Sequence, residues 1–200
     1  MKSKLQAYFM ALVLLTGCKA WDPTMLAPKN DPITPKLLTL ERRIEDFANT
    51  RVVVNDDELM VFTKEVESNL MDPYGDKYGY IALKTNVIEV KNTTILWFLS
   101  FFTAYIPNVL GMPIIIIRYK VEVELRIFDR DNKMVSKYTA IGNSRVVIAF
   151  YYGYSFMDGL RKAYPDALLN AFDKIRPQIQ ADSQRVNEKL LSVGRIKNVP

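Results

Sequence analysis

The chain has no histidine and one cysteine. Without imidazole there is no Ser-His-Asp or Cys-His nucleophile system and no zinc site built on histidine. One cysteine excludes an internal disulfide and any metal cluster held by several thiolates. Glycine (8) and proline (10) are too sparse in 200 residues for a collagen-like or disordered chain. Charge of one sign is not in large excess, with 27 Lys and Arg against 22 Asp and Glu, and the cations form no run or stripe. Nucleic acid is therefore not an expected partner. Neither GxxxxGK[ST] nor GxGxxG occurs. Carboxylate chemistry, Lys, Tyr or Ser chemistry, or no chemistry at all remains. Hydrophobic residues make up 49% and charged residues 24%, a globular composition for one domain of moderate size or one domain with an appended segment.

The N-terminus carries Lys2 and Lys4, then an apolar run, Leu5 to Leu15, too short to span a bilayer comfortably. Leu15-Thr16-Gly17-Cys18 follows and resembles the lipobox of bacterial lipoproteins. A small residue precedes the scissile bond to fit the peptidase, and the cysteine follows it because its thiol takes the diacylglycerol. The resemblance implies a signal peptide over 1–17, removal of Lys2 and Lys4 to leave a formal charge of 25 − 22 = +3, and acylation of Cys18, palmitate included. The chain is then anchored to a membrane rather than spanning it. Lys19 in place of Asp after the cysteine implies the outer membrane, with the domain facing the periplasm.

Residues 18–36 contain Pro23, Pro28, Pro32 and Pro35 and read as the lipidated N-terminus and an extended tether. A single domain is expected over 37–200. Residues 37–48 fit a strand or a helix, with the balance toward a strand. Asn55-Asp56-Asp57 opens a helix to about Met71 with Leu59, Phe62, Val66 and Leu70 on one face, and Asp72-Pro73-Tyr74-Gly75 ends it. Residues 78–90 read as a strand. Arg118 to Phe128 alternates strictly, with Tyr119, Val121, Val123, Leu125 and Ile127 on the buried face. A hairpin loop over 129–133, a return strand from Met134 to about Ile141 and another strand from Arg145 to Tyr152 follow. Ser155 with Asp158 reads as a capping box opening a helix whose stripe runs from Leu160 to Ile179. Pro165 and Pro177 predict a late start, kink or break in it, and 183–192 a short polar helix. The expected class is α+β: a mainly antiparallel sheet with helices packed on one face.

Asn92 to Ile117 carries no charge, and Ile95 to Ile106 is apolar on every helical face. Such a helix is deeply buried, or meets lipid or a partner. Pro107, Gly111 and Pro113 argue against a membrane span within 95–117. Three readings stay open: core burial or coverage of a sheet edge, a membrane or partner contact, and a transmembrane helix. Trp97, Phe98, Phe101, Phe102 and Tyr105 are the candidate contact residues. Helical spacing puts 97, 101 and 105 on one ridge and 98, 102 and 106 on the next. Tyr74, Tyr78 and Tyr80, and Tyr151, Tyr152 and Tyr154, lie in two Tyr-Gly loops that suit partner binding or strand-end packing.

No constellation points to catalysis, a metal or a cofactor. An EF-hand loop from Asp129 would need Gly and Glu where Met134 and Ala140 stand. Glu65 and Glu67 point to different helix faces, and Asp56, Asp57 and Glu58 suit a helix N-terminus.

The lipobox, the Pro-rich tether, the small α+β domain and the final amphipathic helix together resemble a group of Gram-negative envelope lipoproteins. The group includes the curli-secretion channel lipoprotein, the activators of penicillin-binding proteins and the N-terminal part of TolB. That resemblance is architectural, over about 37–182, and implies non-enzymatic accessory or assembly work on another envelope protein. A homo-oligomer is compatible with it. The alternative is a carrier of lipid or a small apolar ligand.

Overall fold

The computed structural model describes residues 22–44, 56–150 and 154–196. The expected signal peptide, Cys18, Tyr151 and Tyr152 lie outside these residues. In chain order the elements are β1 Glu41–Ile44, α1 Asp56–Glu65, β2 Gly79–Asn92, α2 Thr94–Phe102, α3 Ile106–Val109, β3 Ile115–Asp129, β4 Met134–Ile148 and α4 Phe156–Val193. A 3-10 turn at Pro23–Leu26 comes first, and α1 runs on into a π-turn over Val66–Leu70.

The class is α+β, with helices against a four-stranded sheet of order β1-β2-β3-β4. The sheet is mainly antiparallel, as expected, but not purely so. β1 runs parallel to β2, with Glu41 opposite Tyr80 and Ile44 opposite Leu83. A parallel neighbour needs a long crossover, and the segment containing α1 supplies it. β2 and β3 run in opposite directions: Thr93 N–H donates to the Ile116 carbonyl at 3.0 Å, while Gly79 lies beside Phe128 at the other end. The β3–β4 hairpin closes with Asp129 N–H on the Lys133 carbonyl at 3.0 Å. Asp129 Oδ1 accepts from the amides of Asp131 and Lys133, so this loop is an Asx-type turn.

The described residues fall into two compact units. Of the described residues, the first comprises Asp22, 90–118, 145–150 and 154–163, and the second 23–44, 56–89, 119–144 and 164–196.

In the second unit the core consists of Val121, Val123, Leu125 and Ile127 from β3, Ile81 and Leu83 from β2, Val61 and Phe62 from α1, and Ala167, Leu168, Phe172 and Ile175 from α4. β4 is one strand where two were expected. Gly142, inside the strand, lets α4 lie directly on it: a Cβ there would fall 1.8 Å from the Ala167 carbonyl oxygen. The buried positions of β4 change phase at Val135 and Ser136, both buried, the shift that one extra residue produces.

Three further expectations are corrected in this unit. Pro165 and Pro177 sit inside α4 without breaking it, and 183–192 belongs to the same helix. The buried stripe continues past both prolines through Ala167, Ile175, Ile179, Val186 and Leu190, and that packing outweighs a proline penalty of about 3 kcal/mol. The described part of the tether is packed rather than extended. Leu26 and Ile33 are buried, and Asn69 accepts from the Asp31 amide at its Oδ1 while donating to the Lys29 carbonyl. Finally, the buried face of α1 is rotated from the expected stripe. Leu59 is exposed, whereas Glu58 and Glu65 are buried beside Val61 and Phe62.

Candidate functional site

Three polar clusters occupy the second unit. Arg176 grips Glu65 in a buried bidentate pair and also meets Asp173 at 2.8 Å. Glu65 Oε2 accepts a further bond from Asn69. The Arg176–Glu65 pair holds α4 to α1. The second cluster is Glu58, Thr85 and Tyr164: Thr85 Oγ1 lies 2.9 Å from Glu58 Oε1 and 3.1 Å from the Tyr164 hydroxyl. Burial pushes the Glu58 carboxyl above its ordinary value, and burial with the nearby Glu58 pushes the Tyr164 phenol up. The third joins Asp182 of α4 to Tyr138 and Ser136 of β4 and to Arg185. The Arg185 bond holds Asp182 down at about 2, and burial pushes Tyr138 up to about 12. Among the described residues no three His, Cys, Asp or Glu side chains are placed to hold a metal ion.

The first unit is chemically different. α2 follows β2 directly and begins at Thr94 with no side-chain cap. Its two buried or half-buried hydroxyls bond inside the helix, Ser100 Oγ to the Leu96 carbonyl and Thr103 Oγ1 to the Leu99 carbonyl, both at 2.7 Å. It ends at two non-glycine residues with left-handed backbone, Ala104 (φ 48°) and Tyr105 (φ 60°). Each costs about 1–2 kcal/mol relative to a right-handed residue. The sharp reversal carries the chain into α3, where Asn108 is buried. Its Nδ2 donates to the Met112 carbonyl at 3.0 Å, while its Oδ1 is buried without a hydrogen-bond donor.

Of α2, only Ser100 is buried. Core burial of this segment is thereby overturned. Phe102 is 80% exposed, Phe101 60%, Phe98 51% and Ile106 64%, with Leu110 beyond at 84%. Trp97 stacks on Phe101 at 6.0 Å and meets Phe98 edge-on at 5.2 Å, as residues one helical turn or one step apart on one surface can. The expected ridge ending at Tyr105 turns inward there, with that ring 5.9 Å from Phe150. No helix of the described residues is long and apolar enough to cross a membrane.

Beneath Trp97 lies a cavity of about 430 Å³, lined by Trp97, Tyr105, Ile114, Ile148, Phe150 and Tyr154 among others. Its size suits a small ligand. Phe150 and Phe156, which also line it, are sites that the sequence pattern does not single out. They come from the end of β4 and the start of α4, and only the fold brings them beside α2.

The tyrosines divide. Tyr154 lines the cavity, with the Lys162 ammonium 5.4 Å above its ring. Tyr80 is half-buried under the Arg43 guanidinium, 3.3 Å from its ring centre, and Tyr78 is fixed through its amide on the Thr39 carbonyl. Tyr74 is fully displayed on an Asx turn set by Asp72. Tyr74, Tyr78 and Tyr80 belong to the second unit and Tyr154 to the first. Ser155 and Asp158 form the expected cap, with the Asp158 amide donating to Ser155 Oγ at 3.2 Å.

No protein-family model matches the chain, and no curated protein is significantly similar to it.

Proposed function

We propose that this chain is a non-enzymatic lipoprotein, held by acylated Cys18 at the outer membrane and facing the periplasm, which docks through the exposed aromatic surface of α2 and α3 as an accessory component of the envelope. The observation that carries this reading is the exposure of Phe98, Phe101, Phe102, Ile106 and Leu110 within a stretch that has no charge. Contiguous exposed apolar surface of this kind marks a site of contact. The anchor is read from Leu15-Thr16-Gly17-Cys18.

Palmitate labelling of cells expressing the wild type or Cys18→Ala tests the anchor: label is expected on the first and absent from the second, and equal labelling would refute it. Crosslinked pull-down from envelopes tests the docking role, with recovery of a dominant envelope component expected and its loss with Phe102→Ser. A second reading, a carrier of a lipid or small apolar molecule, is favoured by the 430 Å³ apolar cavity beneath Trp97. Co-purified lipid seen by native mass spectrometry would support it.

A further inference from the structure

We infer that the α2–α3 surface rests in the interfacial zone of an anionic lipid bilayer, with the cations of the same unit facing the lipid headgroups. The inference rests on the reading of this surface as a contact and names what it touches.

Charge is the first argument. Segments 90–118 and 145–163 contain five of the 27 cations and one of the 22 acids, so they hold +4 of the formal +5. Once Lys2 and Lys4 are removed with the signal peptide, the rest of the chain is −1. The cations bracket the apolar runs. Lys91 and Arg118 stand at the two ends of the uncharged 92–117; Arg145 precedes, and Arg161 and Lys162 follow, a run whose one charge is Asp158. Lys91, Arg118, Arg145 and Arg161 are exposed. Apolar sequence bracketed by long basic side chains is the composition that enters the acyl boundary while its cations stay at the headgroups.

The second argument is hydrogen bonding. A segment can leave water for hydrocarbon only if its polar groups are paired internally. The hydroxyls of Ser100 and Thr103 bond carbonyls of α2, and the Tyr105 amide takes the Ser100 carbonyl at 2.7 Å. Nine residues of helix are about 14 Å long, less than half of the roughly 30 Å apolar thickness of a bilayer, so α2 dips and does not span. Trp97 is the aromatic type favoured at that depth.

The test uses the full mature chain, residues 18–200, with Cys18→Ser so that no acyl group contributes, floated with vesicles of phosphatidylcholine alone or with 30% phosphatidylglycerol added. Binding to the anionic vesicles is expected, weakened by salt, with little binding to the neutral ones. Phe98→Ser and Phe102→Ser should each weaken binding roughly tenfold, and Arg161→Gln about fivefold. Thermal melts confirm folding of each variant, and Arg161→Gln serves as the independent arm should a Phe variant unfold. Absence of binding, equal binding to neutral vesicles, or binding untouched by all three substitutions would overturn the inference. If vesicles fail while envelope crosslinking through Phe102 captures a protein, the surface is a protein contact instead. Palmitate labelling at Cys18 is read separately, so loss of the anchor and loss of this contact are distinguished.

Discussion

Arg176 and Glu65, 111 residues apart in the chain, meet inside the second unit through two bonds: Nε donates to Oε1 at 2.6 Å and Nη2 to Oε2 at 2.9 Å. The pair staples α4 to the end of α1, where the helix widens into its π-turn. Both side chains are buried, so removing Arg176 leaves the Glu65 carboxylate without its cation, and removing Glu65 leaves the Nε and Nη2 of Arg176 without their acceptor, Asp173 meeting only Nη1. Glu65→Gln and Arg176→Met should each lower stability by about 3–5 kcal/mol. Urea unfolding checks this, and the double variant should lose much less than the two single losses combined.

Gly142 is required by contact rather than by conformation. An added Cβ would fall 1.8 Å from the Ala167 carbonyl oxygen and 2.8 Å from the Ala171 nitrogen, both backbone atoms of α4. The helix must shift or the strand bend, so Gly142→Ala should cost about 3 kcal/mol, the upper end of ordinary overpacking. A fall in the urea midpoint at unchanged slope would verify it.

Two carboxyls give stability opposite pH dependences. Burial raises Glu58, so the folded state binds the extra proton between its ordinary 4.5 and its raised value, and stability falls as pH rises through that window. Glu58→Gln should remove this fall and leave the protein more stable at neutral pH. Asp182 is held at about 2, chiefly by Arg185, against an ordinary 3.8. Its contribution is complete above 3.8 and is lost as pH drops toward 2. Asp182→Asn should flatten the acid limb. Chemical denaturation from pH 2 to 8 separates the two effects.

Aromatic side chains should sort by unit position and not by hydrophobicity. Phe172 is fully buried on α4 and Phe102 is exposed on α2. Phe172→Ala should lose about 3–5 kcal/mol, whereas Phe102→Ser should stay within about 0.5 kcal/mol of the wild type. Thermal melts of the two variants decide the matter.

The parts of the fold legible in the sequence are those written in short-range periodicity. Tyr119 to Ile127 announces β3 because a period of two needs no distant partner, and Ser155 with Asp158 marks the start of α4 from four residues alone. The buried face of α1 is not legible. Leu59 looks like core and Glu58 like solvent until Thr85 and Tyr164, far along the chain, supply the bonds that let a carboxyl enter. The prolines of α4 mislead for the same reason, since local propensity is outweighed by the stripe packed beneath them. Of the candidate site, the uncharged aromatic segment is visible in the sequence, but its exposure is not, nor is the cavity that Phe150 and Phe156 help to form. Parallel pairing of β1 with β2 has no sequence signal in a strand of four residues.

The most direct measurement is the emission of Trp97 in a chain where the other tryptophan is changed, Trp21→Phe, with Cys18→Ser and the signal peptide absent. Trp97 sits on the surface of α2 beside Phe98 and Phe101. Anionic vesicles carrying brominated acyl chains should shift its emission to the blue and quench it, and high salt should reverse both changes. Emission that stays unshifted and unquenched at saturating vesicle concentration would contradict the placement of this surface in a bilayer.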